Sequence, residues 1–334
     1  MHRKRLGNLR VIVYIALVLP LTACVAPGVF GGRVVESLLV PWQSLSGGRL
    51  EGAMASGPGR YIPFMHPVAV SARGNDIYIA DGGRRRIYRF DRTLQTLSVF
   101  YHPIPSAVTL YAAFDRSVYV AEPSAGRVLQ IGPHGTLLHT FSNAANLARP
   151  VAVAVDEVRG RVLIADGLYN HILVFNHLGG LTGVIVPRDS ASHRLRGIRA
   201  MALGPDGLYV VDGLERRVVV VGPNGGYRYS FGEGRMVDPV AIAVDRYRRA
   251  FVADAFNNTI EVYAQGREVA VFGGTGLGPG HFTQITGLCL DENKLYVTDG
   301  GRGDVQILQV APPEMRRRGK HSKSDRLPGP TDSK

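Results

Sequence analysis

Cysteine is almost missing from this chain. The 334 residues contain two, Cys24 and Cys289, too few for a disulfide framework, so stability must come from a buried apolar core. No Cys-x-x-Cys pair, glycine-rich phosphate loop or paired nucleophile and base stands out, and readings that need those motifs lose their basis. A membrane-crossing run is lacking too. The apolar stretch Val11 to Leu19 is about half the roughly 20 residues that a spanning helix requires. Acidic residues are the scarcer charge, 27 against 39 Lys and Arg for a formal +12, but the excess sits at the ends. Arg3, Lys4, Arg5 and Arg10 carry +4, and Arg316 to Lys334 carries +5 (seven cations less Asp325 and Asp332), which leaves +3 for everything between. A body so nearly neutral lacks the electrostatic footprint of a nucleic-acid binder.

The four cations, the short apolar run and Leu21-Thr22-Ala23-Cys24 follow one another in the order of an export signal. The last four residues resemble the bacterial lipobox, in which small residues admit a peptidase that cuts before the cysteine, whose thiol then becomes a thioether. The resemblance implies a signal peptide over 1–23, lipidation of Cys24, and attachment to a bilayer through it. More than one acyl chain, such as palmitate, would make the attachment stable, since a single chain binds marginally. An ordinary cleaved signal with an incidental cysteine and an uncleaved anchor are the competing readings. Val25 stands where many lipoproteins kept at the inner membrane of enteric-type bacteria have Asp. In a Gram-negative cell that points to the periplasmic side of the outer membrane. Cys289 lies in the strand-like Thr286-Gly-Leu-Cys-Leu-Asp291 and is expected to be a buried, unreactive thiol.

Repetition organises the body. A short strand ending in an acid returns six times: Ile77–Asp81, Val118–Glu122, Val162–Asp166, Leu208–Asp212, Ala250–Asp254 and Leu295–Asp299, with the acids 41, 44, 46, 42 and 45 residues apart. Before each comes a small-and-apolar strand, as in Pro150-Val-Ala-Val-Ala-Val155. Six residues after each acid a β-branched residue (Ile87, Val128, Ile172, Val218, Ile260, Val305) opens another. A fourth strand follows in most units. Four short strands per unit with Gly, Pro and Asn turns is the pattern of a propeller blade, the first strand lying nearest the axis, where small residues fill the taper. The acids are expected to cap the turns that follow them, and Gly82, Gly167, Gly213 and Gly300 to supply positive φ there.

The wording resembles the NHL-repeat family over about residues 60 to 310, whose units read roughly Pro-x-Gly-Ile-Ala-Val-Asp and then Tyr-Val-Ala-Asp-x-x-Asn-x-Arg-Ile. The Arg position reads Arg86, Arg127, His171, Arg217, Thr259 and Asp304, so half the units depart from the pattern. The fold class expected is an all-β, six-bladed propeller over 60–311, monomeric, with a basic disordered tail at 312–334. The sixth unit ends at Val305–Val310, its third strand. An open blade would leave an unpaired edge, so the segment from Val34 to Leu50, within a linker at 24–59, is expected to cross over and close it.

Propeller sites gather where loops meet the channel. The approaches to the first strands bring His66 and Arg199; the turns after the acids bring Arg84, Arg85, Tyr169, Asn170, Arg216, Phe256, Asn257 and Arg302. Repeat alignment puts all ten on one face. Arg302 and Arg84 to Arg86 lie on adjoining blades, and arginine grips carboxylate or phosphate bidentately. The expected partner is an envelope protein or an anionic glycan or lipid. The alternative is a propeller enzyme, a metal-assisted lyase or hydrolase using the channel. Some NHL-type propellers are zinc-dependent lyases with histidines directly after the proline that opens the first strand. That place holds Val68, Leu110, Val151, Arg199, Val240 and Thr286, while His66, His171 and His281 are scattered, so no cofactor or metal is expected. Asp238 with Asn257 or Asn258 is the nearest approach to a calcium site.

Overall fold

The computed structural model describes residues 38–51, 60–104, 109–187 and 195–313. The segment 1–23 expected to be a signal peptide, Cys24 and the basic tail from Arg316 lie outside the described residues. Six sheets, each built on four antiparallel strands, surround an axis as a β-propeller. The innermost strands are Pro67–Arg73, Thr109–Ala112, Pro150–Asp156, Ile198–Gly204, Pro239–Val244 and Ile285–Asp291. Each touches the innermost strands of both neighbours, which closes the ring.

The repeat explains the core. Ile87, Val128, Ile172, Val218, Ile260 and Val305, one per blade and six residues beyond the acid, are all wholly buried. Apolar clusters form between neighbouring blades, with Leu163, Ile172, Val210 and Val219 joining blades three and four and Phe251, Ile260, Val297 and Leu308 joining five and six. Stability therefore resides in blade-to-blade faces, each of which buries apolar side chains that a lone sheet would expose.

The ring is closed as expected. Leu39–Leu45 runs antiparallel beside Asp304–Val310, pairing Leu39 with Val310 and Leu45 with Val305, and both leucines are buried. The chain then continues in a way the repeat does not announce. Gly47–Leu50 lies parallel to Thr96–Tyr101, the outer strand of blade one, and Tyr61–Pro63 pairs back onto it. One N-terminal segment thus completes blade six and enlarges blade one to six strands. The glycines permit it: a Cβ on Gly48 would stand 2.9 Å from the Leu97 Cβ, and Gly47 holds φ at +151° against the Ile62 carbonyl.

Candidate binding face and channel

The acids tie two loops together. The Asp166 carboxylate accepts N–H bonds from Ala148 and Arg149, on the approach to its own blade, and from Leu168 and Tyr169, in the turn that follows, all at 2.7 Å. Burial alone would raise its pKa, but the four N–H groups outweigh burial and hold it below the ordinary range. Asp254 binds Val237, Asp238, Phe256 and Asn257 in the same way, and Asp299 binds Thr283, Gln284, Gly301 and Arg302. Glu122 instead holds Arg127 at 2.7 Å. At Asp212 burial prevails and raises the pKa. These acids are structural fasteners. By joining approach and turn they also put the candidate residues on one rim, hereafter the acid face.

The glycines after the acids act differently from the expectation. Gly82, Gly167, Gly213 and Gly300 do not have positive φ; the residue that does is the fourth after each acid, namely Arg85, Gly126, Asn170, Arg216, Asn258 and Gly303. The glycines are required by close approach. A Cβ on Gly167 would meet Val151 at 2.7 Å, and one on Gly213 would meet Arg199 at 2.5 Å. Val151 and Arg199 sit at register breaks near the start of their strands, as do Val68, Val240 and Thr286. Such bulges re-aim a side chain, and here they bring it over the neighbouring turn.

The channel has room of about 270 Å3. Its polar side chains are already spoken for. The Thr109 hydroxyl donates to Val151 O at 2.7 Å and the Thr286 hydroxyl to Pro67 O at 2.9 Å. Ser71 Oγ accepts Ala112 N–H at 2.9 Å and Cys289 Sγ accepts Ala72 N–H at 3.2 Å. Each bond crosses from one blade to the next, so these groups stitch the inner strands. Burial pushes the Cys289 thiol up, away from thiolate chemistry. At the mouth Arg199 pairs with Asp238 at 2.5 Å.

The other candidates divide by what holds them. Arg84 donates to Pro63 O at 2.9 Å and Arg85 to Ile104 O at 3.3 Å. Arg302, a candidate binding residue, reaches Leu277, Gly278 and His281 carbonyls and stands 3.1 Å from Asp304, so its guanidinium fastens the loop. The Asn170 side chain accepts the Ile198 N–H of the next blade at 3.0 Å. The Asn258 side chain does the same for Ile285 at 3.2 Å. His66 bonds Gly300 O at 3.0 Å and His171 bonds Asn146 O at 2.6 Å. Among the described residues no group of three or more His, Cys, Asp or Glu is placed to hold a metal ion.

Tyr169, Arg216, Phe256 and Asn257 stay exposed on the acid face. Sequence reasoning had Tyr169 and Phe256 but missed Leu168 and Leu214. The second residue after the acid is Leu168, Leu214 and Phe256 in blades three, four and five, 56, 66 and 71% exposed, with Tyr169 beside them at 50%. The corresponding positions in blades one, two and six are Gly83, Ser124 and Gly301. Aligning that one position would have revealed an apolar arc over three successive blades.

No protein-family model matches the chain, and no curated protein matches it. Solved structures do. Virginiamycin B lyase from Staphylococcus aureus superposes with a TM-score of 0.56 at 13% identity, covering 82% of this chain and 99% of that one. A streptogramin B lyase gives 0.58 at 10%, covering 75% and 95%. An auxiliary nutrient binding protein from Bacteroides thetaiotaomicron VPI-5482 gives 0.59 at 11%, covering 73% and 69%. Identities this low establish the class alone: a six-bladed β-propeller. The NHL likeness rests on the repeat wording.

Proposed function

We propose that this propeller is the binding module of an envelope lipoprotein, held to a membrane through Cys24 and docking a partner protein on its acid face. The observation that carries the reading is the apolar arc of Leu168, Tyr169, Leu214 and Phe256, exposed on successive blades. Aromatic and aliphatic side chains clustered on a rim are the usual centre of a protein interface. Of the arginines of blades six and one, Arg302 and Arg84 share their charge with Asp304 and Asp81, while Arg85 is exposed and would steer an acidic partner. A channel enzyme is less favoured, because Val68, Leu110, Val151 and Val240 at the mouth offer no acid, base or nucleophile. The likeness to lyases is one of fold, and the nutrient binding protein shares the fold equally.

Photo-crosslinking in intact cells tests the docking face. A photoreactive phenylalanine analogue at Phe256 should capture an envelope protein, and the same group at Val158, fully exposed on a turn of the other rim, should not. No adduct from Phe256, or equal adducts from both, would overturn the reading. The anchor is tested separately: Cys24→Ser should abolish acyl labelling and shift the chain out of the membrane fraction.

A further inference from the structure

The rim opposite the acid face carries the turns between first and second strands and between third and fourth. At the seam it holds a cleft of about 380 Å3. The closing strand contributes Trp42 and Gln43, blade six Lys294 and Tyr296, and blade one Asn75 and Arg92. We propose that this cleft binds an acidic saccharide, a pyranose bearing a carboxylate, independently of the partner on the acid face.

Three features point there. Trp42 is the one tryptophan of the chain; it is 64% exposed and falls at the register break of the closing strand, which turns it outward. An indole face left in water is costly unless something covers it, and the axial C–H face of a pyranose is a flat apolar surface of matching size. Lys294 holds its ammonium over the indole ring, 5.8 Å from the centroid, and makes no ion pair with a described residue, so a sugar stacked on the open part of the ring would find a cation for its carboxylate close by. Arg92 adds a second, its charge shared with Asp291 at 4.0 Å.

The floor supplies the third. Tyr296 is wholly buried, and its hydroxyl has no hydrogen-bond partner among the described residues. Native structures seldom leave such a group unmet. At the opening Gln43 is an exposed planar amide that can donate and accept at once, as sugar hydroxyls demand, while the Asn75 amide is held by Asp91 and Thr93. An aromatic platform, the Gln43 amide, a hydroxyl unmet among the described residues and an ammonium with no described ion-pair partner together fit a charged sugar better than a bare anion or an apolar ligand.

Because Trp42 is the one tryptophan, its emission reports the cleft directly. The full chain in detergent is titrated with a uronic-acid tetrasaccharide, a neutral hexose tetrasaccharide and inorganic phosphate. A saturable change in the submillimolar range with the first, at least tenfold weaker with the other two, is the expected result. Lys294→Gln should weaken the acidic saccharide at least tenfold while the melt stays unchanged. Tyr296→Phe should weaken it too, by calorimetry, without lowering thermal stability. No saturable response to the acidic saccharide overturns the proposal. So does an equal response to the neutral sugar or to phosphate, which would leave a generic sugar or anion site. Capture through Phe256 is read on the other rim, so either reading can fail alone.

Discussion

The fourth residue after each acid shows how single side chains couple one blade to the next. All six positions have positive φ, a conformation that costs a non-glycine residue about 1–2 kcal/mol. Asn occupies it in blades three and five, and there the following blade opens with Ile198 or Ile285, whose N–H the asparagine accepts. Gly126, Arg216 and Gly303 precede blades opening with Pro150, Pro239 and Pro67, which have no N–H to offer. Asn170→Gly should therefore cost about 1–3 kcal/mol by leaving the buried Ile198 N–H unmet. Arg216→Gly should gain about 0.5–1 kcal/mol by relieving the left-handed backbone. Denaturant midpoints at constant m-value check both. The sequence makes Asn170 conspicuous but shows it only as an exposed turn residue. Its task depends on a partner 28 positions away, which only the ring brings near.

At the level of elements the seam is where stability should be most sensitive. The missing fourth strand of blade six made closure legible, because an open edge demands a partner. The added strand Gly47–Leu50 was not legible: four residues with two glycines carry no alternation to read, and their pairing is parallel to a strand far along the chain. Leu39→Ala should cost about 2–4 kcal/mol, as for other filled core sites, against little for the exposed Val40→Ala. Deleting 38–50 should lower the melting temperature far more than deleting 316–334. Asp304, which stands where the resembled repeat wording has Arg, accepts the Ser44 hydroxyl at 2.7 Å and so pins the closing strand. Burial raises its pKa, offset in part by Ser44 and Arg302. A carboxyl with a raised folded pKa favours the fold when protonated, and that contribution is lost as pH climbs from the unfolded value through the folded one. Asp304→Asn should flatten this decline, measured as melting temperature against pH above about 4.

Across the propeller as a whole, the two rims differ: apolar arc over blades three to five and arginines over six and one on the acid face, the Trp42 cleft on the other. The repeat phrase gave the architecture away because every blade repeats the same core demands. A binding surface is what the blades do not share, and a single sequence shows such differences only when the repeats are aligned position by position. The division sets the decisive comparison of variants. Leu214→Asp with Phe256→Asp places charge on side chains that already face water, so the melt should move by less than about 0.5 kcal/mol per site. Partner capture should nonetheless fall at least tenfold, or about 1.4 kcal/mol, since buried apolar anchors carry most interface energy. Arg302→Glu should do the reverse of a clean surface change. It removes donors to three loop carbonyls and sets a second acid against Asp304, so stability should drop by about 1–3 kcal/mol before binding is considered. Arg84→Glu removes a donor to one carbonyl and the looser contact with Asp81 at 3.8 Å, so it should cost less stability than Arg302→Glu while slowing association and reducing its salt dependence. Pull-downs at two salt concentrations beside thermal melts separate the three variants. Normal capture by the Leu214 and Phe256 pair, with loss confined to Arg84→Glu at low salt, would move the docking surface from the apolar arc to the arginines of blades six and one.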